Sequence, residues 1–346
     1  MSLKYKAIRA TFEALWLSRL SGLVRALSSS RGVIFTLHRV LPDAPAPFSP
    51  NAILQLQPGF LDFTLGRLRE LGVDIVSLDE ALERLRADRK PKPFAVLTFD
   101  DGYRDNLVHA LPILQKHQAP FTVYVPPAFV DATGEIWWQS IEDIIASQDA
   151  IRFNRSGEEV RLETGTLAQK HEAFHALYWH MRKMPEEERL VLIRRFAADH
   201  CYDLAQQCRE LIMNWGELQM LGADPLCTIG AHTVHHYELA KLSAPQASDE
   251  MARSADILEQ RFGRRPAHLS YPLGGPLSAG QREFQIAHEL GFASAVTTRP
   301  GGLYRRHLQM LHALPRVSLN GLFQERRYVD VFATGTIFSA LRGLTG

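Results

Sequence analysis

The chain has 346 residues, 46% of them hydrophobic and 22% charged, which is the composition of a globular protein with enough apolar residues for a sizeable core. This length allows one large domain with an insertion, or two domains. The 39 basic residues nearly balance the 38 acidic ones, so no overall field indicates a nucleic-acid-binding protein. The three cysteines have no metal-binding or redox spacing, and we expect them to be reduced and buried. They are Cys201, Cys208 and Cys227.

Residues 1–31 form a basic and amphipathic segment in which lysines and arginines are interleaved with large apolar residues such as Phe12 and Trp16. Ser18 and Arg19 interrupt any run long enough for the core of a signal peptide, and no stretch is apolar enough to span a bilayer. We therefore expect a cytoplasmic protein that is not exported by this segment. The pattern is typical of a helix lying on an anionic membrane surface, although a helix packed on the rest of the protein, or a partly frayed one, also fits.

The first predicted strand covers residues 32–37 and ends at His38, so this histidine is a candidate for a site at the carboxyl end of a sheet. A histidine in an ordinary loop would show the same pattern. Three elements follow it: a helix over 58–71, a strand over 73–76 and a helix with Ser77 or Asp79 as its N-cap. Such alternation with short connections predicts a parallel α/β sheet.

Two adjacent carboxylates, Asp100 and Asp101, follow the apolar run 94–97, which predicts a buried strand. Carboxylates at the end of a buried strand repel each other and lose solvation, so they need a cation or a shared proton. The residues from Tyr103 to His117 predict a helix. One of the two aspartates could therefore be only the N-cap of that helix, which is the alternative interpretation.

The alternation of strands and helices stops at about Val130, after a predicted strand over 121–126. Residues 131–211 are rich in Glu, Arg and His, with apolar residues at helical spacing, and predict an insertion of two or three helices. Trp137 and Trp138 at its start could stack on a sugar ring or anchor the insertion in the core. We expect its histidines to lie on a solvated face, because no carboxylate stands at a matching spacing. They are His171, His175 and His180.

A second candidate site follows the predicted strand 226–230, where three histidines stand close together. If the chain turns helical from Ala231, His232 and His236 lie one turn apart and can share a metal ion, whereas His235 points elsewhere. A polar loop with unrelated histidines is the alternative. With one aspartate of the carboxylate pair and water, the two histidines would form a catalytic metal site rather than a closed structural one.

Regular alternation returns in the last part of the chain. It predicts a helix over 215–221 capped by Asn214, a helix over 243–262, a strand over 267–271, a helix over 278–290, strands over 292–296 and 314–318, and a final helix over 325–344.

The two motifs together resemble a known family. Thr-Phe-Asp-Asp-Gly at 98–102 and His-Thr-x-x-His at 232–236 are similar to the first two motifs of the polysaccharide deacetylases, also called carbohydrate esterase family 4 or the NodB-homology domain. The resemblance extends over roughly residues 30–320 and implies an α/β fold, a distorted (β/α)7 barrel. The expected order is barrel at 32–130 and 212–322, the insertion at 131–211, and a C-terminal helix at 323–346 that closes the barrel.

The resemblance also implies roles for the site residues. Asp100 would be the general base, and Asp101, His232 and His236 would bind one divalent metal ion. We expect zinc, with cobalt or nickel as alternatives.

Three departures from the family pattern concern the catalytic groups. The third motif, usually Phe-Arg-Pro-Pro-Tyr-Gly, is Leu-Ser-Tyr-Pro-Leu-Gly at 269–274 and lacks its arginine. The fourth, an Asp-x-x-Asp-Trp group, is missing around Thr297 and Thr298. The fifth, Leu-x-His, is Leu-Pro-Arg at 314–316, so an arginine stands where the general acid belongs.

We predict that Arg316 replaces the missing arginine and pairs with Asp100 from a neighbouring strand, because a guanidinium favours the ionised carboxylate and orients it. The alternative is an arginine that caps a surface strand. The general acid is then unassigned, with His38 as the first candidate and His312 as the second.

These groups predict the hydrolysis of an amide. A divalent metal activates water and polarises the carbonyl, Asp100 accepts a proton, and a backbone N–H near Leu273 stabilises the oxyanion. Tyr271 and Leu273 are the candidate residues for contact with the substrate or the oxyanion. We predict a metal-dependent deacetylase for the N-acetyl group of an amino sugar in a poly- or oligosaccharide or a lipid-linked glycan, with peripheral membrane contact through residues 1–31 and no nucleic-acid partner. Two alternatives stay open: a catalytically impaired, deacetylase-like glycan-binding protein and a hydrolase of a non-sugar amide.

Overall fold

The computed structural model describes residues 3–17, 29–155 and 157–333. The strands within these ranges are β1 (Gly32–Leu37), β2 (Arg39–Val40), β3 (Gln55–Leu56), β4 (Asp74–Ile75), β5 (Phe94–Phe99), β6 (Phe121–Val125), β7 (Ala150–Arg155), β8 (Glu158–Glu163), β9 (Cys227–Ala231), β10 (His268–Ser270), β11 (Ser294–Val296) and β12 (Val317–Ser318). The α-helices are α1 (Leu3–Leu17), α2 (Pro58–Glu70), α3 (Leu78–Arg86), α4 (Leu111–Lys116), α5 (Pro127–Val130), α6 (Trp137–Ser147), α7 (Leu167–Lys183), α8 (Glu186–Asp199), α9 (Leu204–Leu211), α10 (Trp215–Gly222), α11 (Ala244–Phe262), α12 (Gln281–Glu289) and α13 (Val329–Phe332).

The main sheet is built from parallel pairs in the order β11–β10–β9–β6–β5–β1–β12, with β4 beside the start of β5. Its two edges meet through residues 314–318. Leu314 bridges to Val296 of β11, and Val317 pairs with Phe35 of β1. The sheet therefore curls into a distorted barrel surrounded by helices, and the predicted α/β barrel fold is confirmed.

Burial on both faces explains the apolar sequence of the central strands. Every residue of β5 and β6 is buried, as expected for parallel strands with the barrel interior on one face and helices on the other. Side-chain caps explain where several helices begin. Ser77, Asn214 and Ser243 cap α3, α10 and α11, whereas Asp79 contacts His268 instead of serving as a cap.

The insertion differs from the prediction of two or three helices. Residues 131–211 contain four helices, α6 to α9, and the antiparallel hairpin β7–β8. The turn of the hairpin includes Gly157, whose φ of +91° favours glycine. Both strands are short and rich in charged residues, and β8 is mostly exposed, so their weak periodicity is not distinct from that of a polar loop.

Two smaller expectations also differ from the structure. Cys201 is exposed, whereas Cys208 is buried and Cys227 is partly buried, and all three are free thiols. The final predicted helix is present as α13, after a short 3-10 turn at 326–328, and the part after residue 333 lies outside the described residues.

The N-terminal helix α1 packs on the C-terminal part of the chain. The ring of Phe12, which is 1% exposed, lies 5.3 Å from Phe323, 5.4 Å from Tyr328 and 5.5 Å from Phe332 between ring centroids. This contact supports the interpretation of α1 as a helix packed on the barrel. Among the described residues, no helix combines the length and the apolarity needed to cross a bilayer.

The packing of α1 predicts a large effect of the substitution Phe12→Ala. Removing a buried aromatic ring is expected to lower the free energy of unfolding by about 3–5 kcal/mol, because it leaves a cavity among three other rings. Trp16→Ala is the matched control, since Trp16 on the same helix is 42% exposed and should cost much less. Urea unfolding measures both. If both substitutions lower the free energy of unfolding by the same small amount, α1 does not belong to the core.

Candidate active site

The residues singled out from the sequence converge at one end of the barrel. They follow different strands, and the carboxyl ends of parallel strands meet at the same end of a barrel. Asp100 and Asp101 follow β5, His232 and His236 follow β9, and Ser270 ends β10. All five side chains are buried, with exposures of 3%, 2%, 1%, 5% and 0% in that order. A cluster of charged groups this deeply buried needs internal partners.

Asp101, His232 and His236 form a compact group of possible metal ligands. The Oδ1 atom of Asp101 lies 3.4 Å from Nε2 of His232 and 3.3 Å from Nε2 of His236, and the potential ligand atoms all lie within 4.8 Å of one another. Among the described residues, no group forms a hydrogen bond with this buried Oδ1 atom. One carboxylate oxygen and two imidazole nitrogens that face each other fit a divalent cation.

The ring orientation of His232 suits a metal ligand. Its Nδ1 atom lies 2.7 Å from the carbonyl oxygen of Ser270, which can only accept a hydrogen bond. Nδ1 therefore carries the proton, and the lone pair of Nε2 faces Asp101. Burial favours the neutral form of His232, but the negative charges of Asp101 and Asp100 beside the ring outweigh burial and raise the pKa of His232.

His236 lies in an aromatic environment. Its ring centroid is 4.9 Å from that of Trp138 and 5.5 Å from that of Phe129. Burial lowers the pKa of His236 to about 3, against the opposing charge of Asp101. The imidazole is therefore neutral near pH 7, which is the form that binds metals.

The predicted helix from Ala231 onward is wrong, because residues 232–238, here called the histidine loop, are not helical. Thr233 and His236 have φ values of +60° and +59°, in the left-handed region that non-glycine residues seldom adopt. These two turns bring the rings of His232 and His236 to 4.8 Å between centroids. The structure therefore brings the two predicted histidines together, but in a loop and not on a helix.

Glu250 of α11 supports the histidine loop from one side. Its carboxylate accepts hydrogen bonds from the backbone N–H groups of Val234 and His235, each at 3.0 Å, and lies 2.6 Å from Nδ1 of His235. His235 therefore points away from the metal-ligand group, as predicted. The role of Glu250 was missed, because nothing in the local sequence of α11 relates it to a loop fifteen residues earlier.

Arg316 pairs with Asp100 in the predicted two-pronged geometry. Nη1 donates to Oδ1 and Nη2 donates to Oδ2, each at 2.7 Å. The other N–H groups of the guanidinium donate to Thr98 Oγ1 at 3.1 Å, Ser270 Oγ at 3.0 Å and the carbonyl of Thr297 at 3.0 Å. Arg316 is 1% exposed, so the alternative of a surface cap is wrong.

The pair determines the ionisation of Asp100. Burial alone would raise the pKa of this carboxyl, but the charge and hydrogen bonds of Arg316 outweigh burial and hold the pKa well below its usual range. The hydroxyl of Ser270, the residue that stands in place of the family's arginine, also donates to Asp100 at 3.3 Å. Asp100 is therefore an oriented carboxylate at neutral pH.

The two candidates for the general acid lie in different places. His38 is partly exposed and follows β1 directly. Leu37 pairs with Phe99 of the neighbouring β5, and the Asp100 N–H donates to the Leu37 carbonyl at 3.0 Å, so His38 and Asp100 stand at adjacent strand ends. His312 instead donates from Nε2 to the carbonyl of Phe292 at 2.6 Å, and its ring packs against another histidine on α12. The structure therefore brings His38, but not His312, to the site.

The loop after β10 contains the residues expected near the oxyanion. Tyr271 is fully buried, and its hydroxyl donates to the carbonyl of His312 at 2.9 Å, so this phenol does not point to the metal-ligand group. Leu273 has a φ of +60°, and its carbonyl accepts a hydrogen bond from Thr298 at 2.6 Å. No acceptor among the described residues is hydrogen-bonded to the Leu273 N–H. The predicted oxyanion role of this N–H stays a prediction.

The tryptophans at the start of the insertion are structural anchors rather than a sugar platform. Trp137 and Trp138 are 2% and 6% exposed, and Trp138 packs directly on His236. His171 and His175 are exposed, as predicted for a solvated face, whereas His180 is partly buried.

Comparison with known proteins gives a match to one family. Residues 87–295 match the family model described as polysaccharide deacetylase. YxkH of Bacillus subtilis (strain 168), a protein assigned to the polysaccharide deacetylases, is 23% identical over 254 residues, which cover 73% of this chain and 61% of that protein. The chain thus matches less than two thirds of the length of this relative.

Two solved structures have a similar fold. The deacetylase PplD of Streptococcus pyogenes, determined in complex with acetate, has a TM-score of 0.51 at 20% identity, over 84% of this chain and 92% of that chain. IcaB from Ammonifex degensii has a TM-score of 0.54 at 19% identity, over 87% of this chain and 97% of that chain. At such low identity the likeness concerns the fold.

The buried pair predicts a double-mutant effect on stability. Arg316→Met leaves Asp100 without its buried partner and should lower the free energy of unfolding by about 3–5 kcal/mol, and adding Asp100→Asn should restore part of the loss. Arg316→Lys keeps the charge but not the two-pronged geometry. Most of the loss in the free energy of unfolding should therefore remain, and this variant should also lose most of its turnover. Urea unfolding and turnover measurements test these variants.

Arg161→Met is the control for this series, because the ion pair of Arg161 with Glu163 is exposed on both sides. Wild-type stability in Arg316→Met, or additive losses in the double variant, would contradict the importance of the pair.

Proposed function

Because the chain belongs to the polysaccharide deacetylase family, we propose that it is a metal-dependent deacetylase that hydrolyses the N-acetyl amide of an amino sugar in a poly- or oligosaccharide or a lipid-linked glycan. The family supports a hydrolase of non-peptide carbon–nitrogen bonds. The observation that carries the proposal is the arrangement at the end of the barrel: an oriented, buried Asp100 beside the group formed by Asp101, His232 and His236.

The metal would be held by Asp101, His232 and His236, whose ligand atoms face one another. Within the described residues, the Oδ1 atom of Asp101 has no hydrogen-bond partner, which also fits a divalent cation. Zinc is the expected ion, with cobalt or nickel as alternatives, since mixed imidazole and carboxylate ligands suit all three. When bound, such an ion activates water and polarises the amide carbonyl.

Asp100 is the proposed general base. Arg316 occupies one lone-pair direction on each carboxylate oxygen, and Ser270 donates to the second one on Oδ2. Oδ1 has a second lone pair that can receive the proton of the attacking water. The low pKa of Asp100 makes it a weak base, so its contribution depends on orientation and short reach more than on proton affinity. The pairing by Arg316 provides that orientation.

His38 is the proposed general acid. Hydrolysis adds water to the carbonyl carbon, breaks the carbon–nitrogen bond and leaves an amine that needs a proton. His38 would donate that proton, because it follows the strand next to that of Asp100 and is partly exposed. The backbone N–H of Leu273 would stabilise the oxyanion that precedes bond cleavage. Tyr271 would contribute to substrate or oxyanion binding only through its backbone, since its hydroxyl donates to the carbonyl of His312.

Two alternatives differ in the use of Asp100. A glycan-binding protein without turnover has no need for a buried carboxylate oriented by an equally buried arginine, whose burial is costly. A hydrolase of a non-sugar amide would use the same groups and differs only in substrate.

Membrane contact through residues 1–31 and a cytoplasmic location stay predictions. The exposed Trp16 and Leu17 at the end of α1 are compatible with the membrane contact.

The activity test combines metal content with acetate release. Purified protein should hold or take up zinc, cobalt or nickel, should melt at a higher temperature with the metal, and should release acetate from short N-acetylglucosamine oligomers. Protein that holds no metal, and whose melting temperature ignores all three ions, would contradict the metal site. Metal binding without acetate release from any glycan would favour one of the two alternatives.

Asp100→Asn and His38→Gln separate catalysis from metal binding. Both variants should retain the metal, because neither residue belongs to the metal-ligand group, and each should lose about 10²–10⁴-fold in turnover. Metal analysis and acetate release under saturating metal measure this. Loss of the metal in Asp100→Asn would mean that the two aspartates have the opposite roles.

A further inference from the structure

We propose that the insertion, residues 131–211, positions His236 through a group of mostly buried charged residues, here called the charged cluster. The cluster consists of Arg182, Glu186, Arg189, Glu238 and Lys241. The first three belong to α7 and α8 of the insertion, and the last two follow His236 in the barrel. The inference rests on the proposed function for the role of His236 as a metal ligand.

Glu238 is the point where the insertion meets the histidine loop. Its side chain is 2% exposed and pairs with Arg182 of α7, while Lys241 approaches it at 3.2 Å. Ser278 also donates to Glu238 at 3.1 Å, and Lys241 donates to the backbone carbonyl of Arg182 at 2.8 Å. A residue two positions after His236 is therefore attached to the insertion by two charged side chains.

A second connection runs from α8 through aromatic rings. Arg189 and Glu186 are each 2% exposed and pair with each other, and Lys241 lies 3.8 Å from Glu186. The guanidinium of Arg189 lies over the ring of Trp137 at 5.0 Å from its centroid. Trp137 in turn packs edge-on against Trp138, at 5.8 Å, and this ring packs on His236.

The backbone conformation of His236 explains why such support matters. A non-glycine residue held at φ +59° is strained and persists only where the surrounding structure determines its conformation. Glu250 holds the loop before His236, at Val234 and His235. The cluster holds it after His236, at Glu238. Without the insertion, the second half of the loop would lose both its ion pair with Arg182 and the ring of Trp138.

A purely structural role of the cluster would have a different signature. If it only anchored the insertion, its loss would lower global stability and leave the geometry of the metal-ligand group unchanged. A positioning role moves metal affinity and the local order of the histidine loop. Residues that orient a metal ligand typically change metal affinity by about 10–100-fold when they are substituted.

The test uses the full-length chain and cobalt, whose absorption bands report ligand geometry. We expect Arg182→Met and Glu238→Gln each to weaken cobalt binding by about 10–100-fold and to change the absorption spectrum. The double variant should be little worse than either single one, because both remove the same contact. Arg182→Lys should recover part of the affinity. In the metal-free protein, hydrogen exchange of residues 232–241 should be faster in both single variants.

Arg161→Met is the control within the insertion, since Arg161 lies on the exposed hairpin and should change neither readout. Wild-type cobalt affinity and wild-type exchange in both Arg182→Met and Glu238→Gln would overturn the proposal. The proposed function fails in a different way, through a wild-type protein that binds no metal or releases no acetate. In that case the exchange of residues 232–241 still decides whether the insertion supports the loop.

Discussion

The site depends on the neutralisation of two neighbouring buried carboxylates. Asp100 and Asp101 are 3% and 2% exposed at the end of β5, where water cannot solvate them. The two carboxylates are neutralised in different ways. Asp100 receives a cation that belongs to the chain, the guanidinium of Arg316, on both of its oxygens. Asp101 faces two imidazoles and keeps an oxygen without a partner among the described residues. One carboxylate is thus stabilised internally, and the other is suited to an external ion.

The closure of the barrel makes the first of these solutions possible. The segment 314–318 joins β11 at Leu314 and β1 at Val317, and Arg316 lies between these two attachments. Its side chain is therefore held on both sides and points into the interior, where all five of its N–H groups have acceptors. A buried arginine is tolerated here because each donor is satisfied.

The sequence predicted the parts of the site that depend on strand ends and motif spacing. Two motifs differ from the family pattern: Ser270 stands where an arginine is usual, and Arg316 stands where a histidine is usual. These two differences predicted the ion pair between Arg316 and Asp100 that the structure shows. Support from distant elements could not be predicted. Glu250 of α11 accepts hydrogen bonds from the histidine loop, and Arg182 of α7 pairs with Glu238 of that loop, and no local pattern marks these contacts. The hairpin β7–β8 was missed for a related reason, since its strands have too few buried positions.

The position of Arg316 in the chain has a consequence for how the site is assembled. The two partners of the ion pair are 216 residues apart in sequence. The metal-ligand group is complete once residue 236 has been synthesised. Asp100 has its partner only after the segment 314–318, which contains Arg316, has been synthesised. No fragment that ends before residue 316 can contain the pair, and during synthesis on the ribosome the two aspartates exist beside each other without it. Closure of the barrel and pairing of Asp100 with Arg316 therefore both depend on contacts between distant parts of the sequence, which form slowly in folding.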